Sequence, residues 1–184
     1  MMKPKNFVVN DFDSSATNDA LKLFDSLEPV DIDFMMGKWK GSGYETGHAL
    51  DGLLERYHWH GKYFLSSEDV HPLVYRTLGG KLANIEPRLI TRACVKLVKI
   101  SPSIVRSKTA VTMFRCFLPL LKTPKSRARL RMMEYRGKVS ATMVYDDLPI
   151  NDAFRKLDEH TVLGVMDGKD IDGPFFFKLT REEK

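Results

Sequence analysis

Ala20, Leu21, Phe24 and Leu27 recur at helical spacing behind the candidate N-caps Ser14, Ser15 and Thr17, with Pro29 just beyond, and predict a helix over about 17–27. The pattern then changes. Gly37-Lys38-Trp39-Lys40-Gly41-Ser42-Gly43-Tyr44 alternates and is rich in glycine, which suits a first strand whose backbone bends or is closely approached. In the segment 50–59, Leu50, Leu53, Leu54 and Tyr57 form one stripe and Asp51, Glu55 and Arg56 another, predicting a short helix that Gly61 ends. Pro72 restricts 70–78 to an edge strand or an extended loop, and Gly79-Gly80 turns the chain into a short strand near 81–85. The run 103–121 reads as an amphipathic helix or an irregular cover over a sheet, closed by Pro124.

Beyond Pro124 the punctuation is that of strands. Five short runs, 128–136, 138–146, 153–157, 161–167 and 175–181, are separated by Gly137, 148–152, 158–160 and 168–174, the spacing of an antiparallel meander. Period two puts Val139, Ala141, Met143 and Tyr145 on one face and Ser140, Thr142 and Asp146 on the other, with Phe175, Phe177 and Leu179 sharing a face of the last run. With the early strand, these runs are enough to curl into a closed or nearly closed barrel that removes its own edges. The expected fold is therefore mainly β, an antiparallel barrel with a few peripheral helices.

Length and charge narrow this further. The 184 residues, 43% of them apolar, suit one domain with a real core. The expected organisation is a flexible leader over 1–13 and a single domain over 14–184, made of an N-terminal part at about 24–80, a basic, partly helical insert at about 88–124 and the meander at about 128–182. No run approaches the roughly 18 apolar residues of a membrane-spanning helix. The polar start has no apolar signal region, so the expected compartment is the cytoplasm. Cys94 and Cys116 form neither a disulfide framework nor a CxxC motif. Residues 81–138 carry 15 Lys and Arg against only Glu86 and Glu134, whereas the remainder carries 14 basic and 22 acidic residues. Such a block suits a phosphorylated or carboxylated small molecule, peripheral contact with an anionic membrane, or a solvated face. Nucleic acid is disfavoured, because Tyr135 is the one aromatic residue interleaved with the densest basic run, 122–138.

Gly37-Lys38-Trp39-Lys40-Gly41 is a GxWxG pattern at the head of a β-rich chain, and it resembles the lipocalin and fatty-acid-binding superfamily and, more closely, the haem-carrying nitrobindins. Trp39 would plug one barrel end while Gly37 and Gly41 let the backbone bend beside the indole. The surrounding segments Thr46-Gly47-His48-Ala49-Leu50-Asp51-Gly52 and Asp69-Val70-His71-Pro72-Leu73 are similar to the small bacterial family called the GXWXG domain. Leu148-Pro149-Ile150-Asn151-Asp152, Gly164-Val165-Met166-Asp167 and Pro174-Phe175-Phe176-Phe177 are similar to domain of unknown function 4334, which normally follows it. The resemblance implies a calycin-like (lipocalin- or nitrobindin-like) barrel and names no activity.

The barrel reading predicts an interior ligand, a small hydrophobic or amphipathic anionic molecule of fatty-acyl or isoprenoid size. The expected contacts are Arg131, Met132, Tyr135, Met143, Tyr145, Met166 and Phe176, with Arg131 as a bidentate headgroup clamp. The enzymatic alternative, of isomerase or hydrolase type, places His48, Asp51 and Tyr145 at the barrel mouth as acid/base groups. No metal is expected, although His58-Trp59-His60 is an HxH pair, because on a helix its imidazoles diverge. Haem is a further alternative that would need one inward imidazole, His160 being the first position to test. Otherwise no cofactor is expected, and self-association as a homodimer is compatible with the sequence. The chain lacks GxSxG, P-loop, GxGxxG and HExxH signatures.

Overall fold

A computed structural model of the chain describes residues 15–88, 97, 100–169 and 171–183. The leader 1–13, Cys94 and most of 89–99 in the basic insert lie outside the described residues. The elements run α1 (Ser15–Ser26), β1 (Glu28–Pro29), α2 (Ile32–Met35), β2 (Gly37–Gly43), α3 (Leu53–Arg56), β3 (Trp59–Phe64), β4 (Val70–Arg76) and β5 (Leu82–Asn84). They continue with α4 (Pro102–Val105), α5 (Lys108–Phe117), which passes into a tighter turn at Leu118–Leu121, β6 (Ala128–Tyr135), β7 (Lys138–Tyr145), β8 (Ile150–Lys156), β9 (Thr161–Gly168) and β10 (Phe175–Arg181).

The fold is mainly β, an antiparallel sheet of ten strands with few helices. Its order is β1-β8-β7-β6-β4-β3-β2-β10-β9, and β8 also pairs with β9, so eight strands close into a ring while β1 and β5 lie outside it. The contact between β6 and β4 rests on a single register pair, Val70↔Ala128. β6 and β7 are joined by Arg136-Gly137, both at positive φ, the backbone that a two-residue hairpin needs to match strand twist.

Alternation sorts the side chains as period two requires. Trp39, Phe64, Leu130, Ala141, Met143, Tyr145, Phe154, Phe175, Phe177 and Leu179 are buried in one core cluster. On the opposite face, Ala20 and Phe24 of α1 pack over Ala153, Leu163, Val165 and Phe176. α2 caps one end of the ring: Asp31 accepts the Phe34 N–H at 2.7 Å, and Trp39 Nε1 donates to the Met35 carbonyl at 2.8 Å. The Arg181 guanidinium lies 4.3 Å above the Trp39 ring and donates to the Met36 and Phe34 carbonyls. α3, α4 and α5 lie at the other ends of β2, β3 and β4, where Phe114 packs against Tyr57 and Tyr75.

Several expectations change. β4 is not an edge strand: β3 pairs with one side and β5 and β6 with the other. Pro72 is accommodated because the β3–β4 register shifts on either side of Gly61, leaving no ladder bond for a missing N–H to break. The predicted 50–59 helix shrinks to α3, and Trp59 and His60 already belong to β3. Val139, expected to share a face with Ala141 and Met143, lies at the start of β7 and is exposed, whereas those two are buried.

Candidate interior site

The functional geometry follows from a break in the regular pleat. Gly61 sits at φ +151°, and a Cβ there would run into the Trp39 carbonyl and the Gly41 amide, so β2 and β3 approach each other as only glycine allows. One residue on, within the shifted register, Lys62 sends its side chain into the core. Its Nζ lies 2.8 Å from Asp152 Oδ2 and donates to the Pro72 carbonyl at 3.2 Å. The side chains of Lys62 and Asp152 are only 3% and 1% exposed.

Aromatic rings complete the surround. The Lys62 ammonium lies 5.0 Å from the Phe177 ring centre, 5.6 Å from that of Trp59 and 5.7 Å from that of Tyr145, within the range of cation–π attraction. Trp59 keeps its place because Gly41 has no side chain: a Cβ there would collide with the indole. Gly164 likewise leaves room for the Phe177 ring. Burial raises the Asp152 carboxyl above its ordinary range, and Lys62 pulls the other way. Burial, with Asp152 and Tyr75 adding to it, pushes the Tyr145 phenol well up, so it stays protonated.

Asp152 Oδ1 and Trp59 Nε1 of this core have no hydrogen-bond partner among the described residues. One is an acceptor and the other a donor. Each unsatisfied buried group costs on the order of 1–3 kcal/mol.

The expected mouth residues do different work. Asp51 Oδ2 accepts the N–H groups of Thr46, Gly47 and His48, a loop-forming role. His48 Nδ1 accepts the Leu50 N–H, and Nε2 meets the Asp172 carbonyl at 3.0 Å, which makes Nε2 the protonated nitrogen. Tyr145 and Met143 are in the interior core, and the half-buried Met166 packs against it. Phe176 and Tyr135 belong instead to the outer cluster under α1, where Tyr135 meets Phe24 edge to face. Met132 is exposed. Arg131 lies on the outside because Leu130 takes the inward position. Its guanidinium is 2.7 Å from Glu68 and bonds the Leu130 and Ser67 carbonyls, so the headgroup clamp has no interior geometry.

The histidines do not fit an axial haem ligand. His60 Nε2 meets Glu182 at 2.9 Å, His71 lies 3.5 Å from Asp69, His48 is held as described, and His58 and His160 are exposed. In the HxH pair, His58 sits at φ +60°, outside β3, so it does not share a strand face with His60.

Lys62 and Asp152 escaped the sequence reading for identifiable reasons. A helical reading of 50–59 put Lys62 just past a helix end. A turn reading of 148–152 put Asp152 outside a strand, although Ile150, Asp152 and Phe154 alternate inward once β8 begins at Ile150. That alternation was the available signal.

Residues 22–80 match the family described as GXWXG protein, and residues 126–181 match the domain of unknown function DUF4334. No curated protein matches the chain. A crystal structure of a protein from Thermomonospora curvata is similar at a TM-score of 0.65 and 32% identity, over 90% of this chain and 87% of that one.

Proposed function

Because the chain belongs to the family in which a GXWXG domain precedes DUF4334, whose barrel-like ring supplies an enclosed core, we propose that it binds a small, largely apolar molecule inside that ring. The observation that carries this reading is the buried Lys62–Asp152 bridge with its two unsatisfied neighbours, Asp152 Oδ1 and Trp59 Nε1. A buried ion pair is commonly no better for stability than apolar residues of the same size, and here one oxygen of Asp152 has no partner, so its presence favours a binding role. Toward α2, Phe64 and Phe154 fill the core edge to face at 5.8 Å. The ligand therefore belongs on the other side of the bridge, among Trp59, Tyr75, Tyr145 and Phe177. An acceptor and a donor together select a group that donates and accepts, an alcohol or a protonated carboxylic acid. A carboxylate is disfavoured beside Asp152.

Native mass spectrometry of the purified chain tests this directly, and we expect a retained fatty-acyl or isoprenoid-sized molecule. A fluorescent polyene alcohol should bind, and its methyl ether, which cannot donate to Asp152, should bind at least about tenfold more weakly. No retained molecule together with equal or absent binding of both probes overturns the proposal.

An acid/base role is the second reading, favoured by the raised Asp152 carboxyl beside Tyr145. Recovery of two interconvertible isomers from the wild-type protein, but one from Asp152→Asn, would select it.

A further inference from the structure

Large apolar side chains open to solvent concentrate in one stretch of this chain. Ile100, Ile104, Met113, Phe117 and Leu120 are each more than half exposed. On α5, Phe114 turns toward Tyr57 and Tyr75. Met113 and Phe117, four residues apart, form a stripe on the solvent side that Leu120 continues into the following turn. Exposed large apolar side chains gathered in one segment in this way mark a surface that meets a partner.

The charge around the stripe says which partner. Between Glu86 and Glu134 the sequence contains no acidic residue and 12 Lys and Arg. Several of these are already occupied: Arg127 pairs with Glu86 and Asp147, Arg129 with Asp146 and Arg131 with Glu68, while Arg106 donates to the Asp51 and Ala49 carbonyls. Lys108, Lys122 and Lys125 are exposed at the two ends of the α5 segment, with no ion pair among the described residues. An apolar stripe between unpaired lysines is the composition of a helix that lies in the headgroup region of an anionic bilayer, its apolar side chains at the acyl boundary and its ammonium groups reaching the phosphates.

We propose that α4, α5 and the turn after them dock this protein on an anionic lipid surface. A second copy fits less well, because a two-fold contact through this face would set the same cations against one another. Nucleic acid fits less well too, since Phe117 is the one exposed ring along the stripe. The proposal does not rest on the interior ligand, and its test reads vesicle binding alone.

The test is co-sedimentation of the full chain with vesicles of phosphatidylcholine, with and without phosphatidylserine, at low and physiological salt. We expect at least about tenfold tighter binding to the anionic vesicles, weakening steeply with salt. Lys108→Gln with Lys122→Gln and Lys125→Gln should lower the affinity by about 100-fold, at about 1 kcal/mol per cation. Phe117→Ser with Leu120→Ser should lower it at least about tenfold and, both side chains being exposed, leave the melting curve unchanged. An environment-sensitive dye on the exposed Cys116, after Cys94→Ser, should report an apolar environment only with anionic vesicles, a readout that does not depend on the other variants. Equal binding to both vesicle types, binding to neither, or variants that bind as the wild type does overturn the proposal. So does a concentration-dependent dimer that Phe117→Ser with Leu120→Ser abolishes, which would assign the patch to a second copy.

Discussion

Lys62 and Asp152, 2.8 Å apart, bridge the middle of the ring from strands that never pair: β3 and β8 are separated by three strands in either direction. The bridge therefore crosses the core. It holds opposite walls at a fixed distance, and Phe64 and Phe154 repeat the same crossing one step nearer α2. Both ions are removed from water, so each depends on the other for compensation.

Lys62→Met leaves the Asp152 carboxylate buried without its cation and should destabilise the protein by about 3 to 5 kcal/mol. Pairing that change with Asp152→Leu removes both charges, and stability should return to the wild-type value or exceed it. Urea denaturation of the three proteins checks this. A double variant clearly less stable than the wild type would show that the bridge itself contributes net stability.

Trp39 is fully buried, and two glycines hold the strand around it. Trp39→Ala should cost about 3 to 5 kcal/mol, as for other large core truncations. Gly41→Ala forces the Trp59 ring to move and should cost about 1 to 3 kcal/mol. Gly61→Ala should cost more, because it meets backbone and combines the clash with a positive φ. Chemical denaturation that ranks Gly41→Ala above Gly61→Ala in cost would contradict the close approach of β2 and β3.

Burial lowers the pKa of His48 below its ordinary value. A group depressed in the folded state contributes stability that is full above its unfolded pKa and is lost as pH falls through the folded value, since the unfolded chain takes up the proton first. Stability should therefore fall from about pH 6.5 downward. His48→Gln should show a shallower slope in unfolding free energy between pH 7.5 and about pH 5.5, whatever its stability at neutral pH. An identical slope would remove His48 from the acid response.

Ser140 is buried between strands. Its Oγ accepts the Val30 N–H at 2.9 Å and donates to the Phe154 carbonyl at 2.7 Å, tying the segment after β1 to β7 and β8. Ser140→Ala strands the buried Val30 N–H, while the Phe154 carbonyl keeps its bond from Arg155, and a loss of about 1 to 3 kcal/mol is expected by thermal or chemical unfolding. A loss below about 0.5 kcal/mol would mean that neither bond contributes net stability.

The sequence by itself determined the parts whose physics is local. Helical spacing placed α1, period two placed the late strands and put Met143 and Tyr145 on the inward face of one of them, and the GxWxG pattern placed Trp39 and identified the family. Each of these depends on neighbours a few residues away. Which strands meet to close the ring, the interior position of β4 despite Pro72, the outward turn of Arg131 and Phe176, and the meeting of Lys62 with Asp152 were decided only by the tertiary structure. A one-residue difference in where β8 begins, or a bulge at Gly61, reverses which face a side chain takes. Lys62 and Asp152 are 90 positions apart in the chain, and no local pattern records that their strands stand opposite each other across the core.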